Sequence, residues 1–209
     1  MAGDEYSAEF GWCSLAGWVL IGYTKKIKSP EPTFVELAHI FPYSFGNGLD
    51  DDICQTLIGC LQALGLKNCV AHVEFKLHQG QVFVVEINPR LAGDMIVDLV
   101  RTACGVDMGK IAYLSHTGTP WAADLAINHT CHAATAYLYS EQTGTVMTVR
   151  TDGSEQDLWL RPLPRYNTGN LTSSDDRLGC VIATADTWQS ALQKTQHIAD
   201  TTVISFGEI

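Results

Sequence analysis

His72-Val73-Glu74-Phe75-Lys76-Leu77 and, after a short turn, Val82-Phe83-Val84-Val85-Glu86-Ile87-Asn88-Pro89-Arg90-Leu91-Ala92-Gly93-Asp94-Met95 decide how this chain is read. The period of two in an extended strand puts His72, Glu74 and Lys76 on one face and Val73 and Phe75 on the other, and it groups Val84, Glu86 and Asn88 in the second run. A turn centred near Gly80 then brings Glu74 almost directly opposite Glu86, with His72 beside Asn88. Like charges facing each other across a ladder are destabilising, so the pair needs open solvent, a shared proton or a cation. A hard divalent ion such as magnesium takes carboxylate and amide oxygens together with substrate phosphates, and Glu74, Glu86 and Asn88 offer that set. A solvated polar face is the plain alternative. Arg90, just beyond Asn88, can clamp an oxyanion or phosphoryl group bidentately; a structural salt bridge is its rival reading.

Working outward, Tyr6 to Cys13 and Trp18 to Thr24 are rich in aromatic and β-branched residues and read as a hairpin turning at Ser14 to Gly17, with a third strand at Phe34 to Phe41. Lys25 to Thr33, with three lysines and two prolines and no apolar period, reads as a solvated loop. Asp50, Asp51 and Asp52 open an apolar-periodic helix that stops at Gly65. Met95 to Cys104 is helical in period and ends at Gly105, and Asp107 caps a further helix ending near Gly118. Asp94 either attracts an ammonium group or caps the helix starting at Met95.

A boundary is expected near residue 120. Beyond it Ala133 to Ser140 and Thr145 to Arg150 read as a hairpin around Gln142-Thr143-Gly144, Leu158 to Leu160 as a short strand, and Thr187 to Ile198 as a capped helix. Asp175-Asp176-Arg177 reads as a charged turn. His129, Cys131 and His132 are soft-metal ligand types, yet adjacent strand residues point to opposite faces and no fourth ligand is apparent.

Composition narrows the partners. The 209 residues carry 13 Lys+Arg against 23 Asp+Glu, a formal charge of −10, which repels nucleic acid and anionic membrane surfaces where no basic patch overrides it. A divalent cation can still bring one phosphorylated small molecule into an acidic site. Seven cysteines without a CxxC pair fit reduced thiols in the cytoplasm, and the apolar run from Trp12 to Tyr23 is too short to span a bilayer.

The wording HVEFKL, turn, VFVVEINPRLAGDM, then LVRTACGVDM resembles the signature of ATP-grasp enzymes, most of all the branch of L-amino-acid ligases and related carboxylate-amine ligases; biotin carboxylase is a more distant relative. The resemblance implies an α+β fold: an ATP-grasp C-terminal subdomain over residues 1–120, mostly antiparallel sheet with helices packed on one face, followed by a smaller α+β lobe over 121–209. It implies ATP and magnesium as cofactors, with manganese as a substitute, held by Glu74, Glu86 and Asn88. Arg90 becomes the catalytic residue for acyl-phosphate chemistry, and the Gly93-containing loop borders the acceptor pocket. Upstream, YSAEF resembles the strand after the family's hinge and FVELAHIFP its FVE-x-GH-x-x-P segment, so Glu9, Glu36, His39, Gly93 and Asp94 are implied substrate residues.

The family's nucleotide lysines, phosphate loop and hinge have no counterpart here. The expectation is therefore the C-terminal half of an ADP-forming ligase that joins a small-molecule carboxylate to an amine, inactive without an N-terminal half in the same parent chain or in a second one. A homodimer is compatible with this. A catalytically silent binding module and a biotin-carboxylase-like carboxylation half are the alternatives.

Overall fold

The computed structural model describes residues 3–121, 127–151 and 158–207. Among these described residues the strands are β1 (Asp4–Cys13), β2 (Gly17–Lys28), β3 (Glu36–Tyr43), β4 (Val70–His78), β5 (Gln81–Asn88), β6 (His132–Leu138), β7 (Thr143–Arg150), β8 (Leu158–Leu160), β9 (Arg165–Thr168), β10 (Gly179–Ala185) and β11 (Val203–Gly207). The helices are α1 (Leu49–Ala63), α2 (Ile96–Cys104), α3 (Met108–Thr117) and α4 (Trp188–Thr201). Eight strands form one sheet in the order β5-β4-β1-β2-β3-β6-β10-β8, and a second sheet has the order β11-β7-β9. Every pairing is antiparallel. The α+β class and the antiparallel sheet are as the sequence leads one to expect. The pairing of β3 with β6 carries the large sheet without a break across residue 120.

Strand alternation explains both cores. On one face Tyr6, Ala8 and Phe10 of β1 join Ala71, Val73 and Phe75 of β4 under Ile53, Leu57 and Leu61, the inward stripe of α1. The same face continues through Ile40 and Ala134 to α4, which buries Ala191 there. On the other face Cys13, Ile21, Phe41, Val70 and Ala133 lie under Ile96, Leu99, Val100 and Ala103 of α2 and under Met108 and Ile111 of α3. The helices thus divide between the two faces instead of packing on one. The cause is that β3 and β6 bury apolar residues on both sides, as Ile40 and Phe41 in β3 and Ala133 and Ala134 in β6 illustrate.

The second face changes character along its length. Gly11 lies so close to α3 that a Cβ would come 2.5 Å from Ile111 and 2.7 Å from Trp121. Toward the start of β1 the same face carries Glu5, Ser7 and Glu9, all buried. Beyond the reach of α2 and α3 the sheet therefore presents charge, and buried charge has to be paired.

Two expected elements differ. Residues 25–28 are not loop: β2 runs to Lys28 and pairs with β1 and β3, because its lysines meet carboxylates on neighbouring strands. The hairpin expected between Ala133 and Arg150 does not form. Both edges of β6 are taken, by β3 and β10, so the chain leaves the large sheet after Leu138 and β7 pairs with β9 and β11. No helix among the described residues is long and apolar enough to cross a membrane.

Candidate active site

The β4–β5 hairpin has the register its sequence suggests: Glu74 is paired with Glu86, and His72 with Asn88. A bulge follows between Glu74 and Phe75. Gln79 and Gly80 turn the hairpin with positive φ of 51° and 75°, conformations that glycine adopts without a Cβ penalty. Glu74 is half-buried, whereas Glu86 is exposed and has no hydrogen-bond or ion-pair partner among the described residues.

A continuous run of charge leads away from this pair. His72 is buried between two carboxylates, with Nδ1 2.8 Å from Glu9 Oε1 and Nε2 3.0 Å from Glu74 Oε1. Glu9, 2% exposed, also accepts from Ser7 Oγ at 2.9 Å. Lys26 Nζ donates to the same Glu74 Oε1 at 2.5 Å and to Glu36 Oε1 at 2.9 Å. Glu36 Oε2 lies 3.4 Å from His39 Nε2, and Asp94 stands near enough for each of the two carboxyls to shift the other's protonation. Asp94 Oδ1 accepts from Arg177 Nη2 at 2.7 Å. Its backbone carbonyl accepts from the Tyr137 hydroxyl at 2.5 Å, and the Arg177 guanidinium lies 4.0 Å from the centre of the Tyr137 ring.

The electrostatics follow from these contacts. Hydrogen bonding from His72 and the ammonium of Lys26 outweigh burial and hold Glu74 at about 2, fully ionised at neutral pH. Burial opposes charge on His72, but hydrogen bonds to Glu74 and Glu9 push it up to about 9. Burial likewise opposes charge on Glu36, yet His39, Asp94 and Lys26 hold it well below the usual carboxylate range. Asp94 is raised, first by burial and then by Glu36. These two carboxyls behave as one site in which Asp94 is the readier to keep a proton.

Of the residues singled out in the sequence, Glu74, Glu86 and Asn88 come together on the hairpin, and Glu36, His39 and Asp94 meet around Tyr137. Arg90 is exposed at the hairpin's end; its Nη1 donates to the Leu91 carbonyl at 2.8 Å, and among the described residues it meets no carboxylate, so no salt bridge explains it. Glu9 faces His72, not open space. Gly93 has open space where a Cβ would stand, and its carbonyl accepts from Ile96 N at 3.0 Å. Asp94 does not cap α2: the N-cap is Met95, in the left-handed region, with no side-chain cap bond.

His72, Tyr137 and Arg177 were not signalled as site residues, and Lys26 fell within the stretch read as a solvated loop. Arg177, far from a solvated turn, is 3% exposed. Their only trace in the sequence is position: Lys26 is in phase with Thr24 and Lys28 along β2, and His72 with Glu74 along β4.

A cleft of about 610 Å3 opens beside the network, lined by Asp4, Glu5, Lys26, Lys28, Phe34 and Lys76. A smaller cavity of about 170 Å3 lies between Asp94, Tyr137, Trp159, Arg161 and Arg177. Among the described residues no group of three or more His, Cys, Asp or Glu converges as a metal cage. The hairpin nevertheless fits a hard dication. It offers an ionised carboxylate in Glu74, one in Glu86 with no partner among the described residues and, two residues along β5, the amide oxygen of Asn88. That is the sparse protein share magnesium takes when phosphates supply further ligands.

The ATP-grasp domain family matches residues 1–98. Alanine–anticapsin ligase of Bacillus amyloliquefaciens is 34% identical over 89 residues, which are 40% of this chain and 18% of that protein. Phosphoribosylglycinamide synthetase from Anaerococcus prevotii superposes with a TM-score of 0.84 at 17% identity, over 99% of this chain and 54% of that one. L-amino acid ligase from Bacillus licheniformis does so with a TM-score of 0.77 at 18% identity, over 99% and 52%. The chain therefore spans about half the length of these solved structures and less of the curated relative. Residues 1–98, the carboxylate hairpin included, thus match the ATP-grasp domain, and the chain as a whole shares the fold of these solved structures.

Proposed function

We propose that this chain is the metal-binding and phosphoryl-handling portion of an ATP-dependent, ADP-forming carboxylate-amine ligase, in which a carboxylate becomes an acyl phosphate that an amine converts to an amide or peptide bond. The observation that carries this is the pairing of Glu74 with Glu86 across β4 and β5, with Asn88 and then Arg90 on the same strand end. Glu74, Glu86 and Asn88 would hold magnesium or manganese, which when bound neutralises charge on the phosphates of ATP. His72 and Lys26 orient Glu74 and keep it ionised. Arg90, exposed and without a carboxylate partner among the described residues, stabilises developing negative charge on the transferring oxygens.

The Glu36–Asp94 pair, with His39, lies where an ammonium or amine-bearing acceptor finds opposite charge and a proton acceptor. The likeness to alanine–anticapsin ligase supports an amino-acid-like pair of substrates. An N-terminal half that holds the nucleotide, in the same chain or in a second one, completes the enzyme, which works in the cytoplasm. With that half present, ADP release should depend on both a carboxylate and an amine from an amino-acid panel. Glu86→Gln and Arg90→Ala should each lower the rate at least ~100-fold. Near-wild-type turnover in either variant would overturn the assigned roles.

A further inference from the structure

Between Glu74 on β4 and Glu36 on β3 lie β1 and β2, so the two carboxylates stand three strand spacings apart, roughly 14 Å at the backbone. They share one cation. Lys26, on β2, is 6% exposed, and its Nζ bonds Glu74 Oε1 at 2.5 Å and Glu36 Oε1 at 2.9 Å. The reach to β4 is open because β1 places Ser7, a small residue, on the rung between Thr24 and Glu74. The nearby lysines serve other acids: Lys25 pairs with Asp4 and Lys28 with Glu5.

We propose that Lys26 is a positioning residue that couples the metal-side carboxylate Glu74 to the acceptor-side carboxylate Glu36. It holds both in place before a divalent cation arrives and gives up part of its hold on Glu74 when one binds. This rests on the reading of Glu74 and Glu86 as a metal pair. A buried ammonium on a ligand oxygen opposes a second cation there. Lys26 should therefore weaken metal binding while supporting turnover, a combination that a purely structural residue does not produce.

The test is Mn2+ titration of this chain, with free Mn2+ followed by electron paramagnetic resonance. Lys26→Met should bind Mn2+ roughly tenfold more tightly than the wild type. Glu36→Gln, which leaves the whole ammonium charge to Glu74, should bind it roughly threefold more weakly. Assembled with its nucleotide-holding half, Lys26→Met should still lose at least ~10-fold in ADP release. Weaker or unchanged Mn2+ binding in a folded Lys26→Met protein overturns the proposal; if that variant does not fold, unchanged or tighter binding in Glu36→Gln does so. Wild-type binding that Glu86→Gln leaves unaffected would instead remove the metal pair itself and the Lys26 proposal with it.

Discussion

His72 bridges Glu9 and Glu74, with one ring nitrogen 2.8 Å from the first carboxylate and the other 3.0 Å from the second. The imidazole thereby joins β1 to the carboxylate hairpin through side chains as well as through the ladder, and it fixes the direction in which Glu74 presents its remaining oxygen. In the proposed metal site, a partner of this kind behind Glu74 orients the ligand.

Stability should depend on pH through this bridge. His72 is raised to about 9 in the folded state against 6.5 unfolded, so its contribution is fully present below pH 6.5 and is lost as pH rises through 9. The loss amounts to about 3 kcal/mol. Urea denaturation with a chelator present, at pH 6 and pH 10, should show it; in His72→Gln the difference between the two pH values should shrink to less than half.

Glu86→Gln should separate folding from catalysis. The side chain is exposed and unpartnered among the described residues, so its replacement should change unfolding free energy by less than about 0.5 kcal/mol while abolishing most of the activity. A melting curve that moves by many degrees would mean that Glu86 has a structural partner instead.

Arg177→Met removes the cation that meets Asp94 and stacks on Tyr137. Asp94 and Glu36 would then share a half-buried space with less compensation, and we expect a loss of about 3 kcal/mol. Adding Asp94→Asn should recover more than half of that loss. A double-mutant cycle by chemical denaturation gives the coupling directly, and additive losses would refute the pairing.

Gly22→Ala should be costly for a steric reason. A Cβ there would lie 2.6 Å from the Phe41 ring, in a core already filled by α2. Overpacking of this kind costs about 1–3 kcal/mol. The combination with Phe41→Leu should be more stable than Gly22→Ala alone, as thermal unfolding would report.

The carboxylate hairpin could be read from its residues because everything needed is local: a period of two, a turn at Gln79-Gly80, and acids in phase on both arms. The caps at Asp107 and Thr187 were legible for the same reason. Lys26 and Arg177 were not, since Glu74 stands 48 residues from the first and Asp94 83 from the second, and nothing near them distinguishes a buried cation from a solvated one. The supposed hairpin of β6 and β7 failed for a related cause. Two adjacent strand-like runs with a glycine between them satisfy the local rule, but pairing with β3 and β10 satisfies more of β6, which is buried from Ala133 to Leu138.

The seam between β3 and β6 has a practical meaning for anyone who trims this protein. A version stopped at residue 120 would strip β3 of its neighbour and uncover a row of free amide and carbonyl groups from Ala38 to Phe41 in the middle of an apolar strand. Such a raw margin recruits other chains, so the shortened protein should clump in solution even with its acidic hairpin intact.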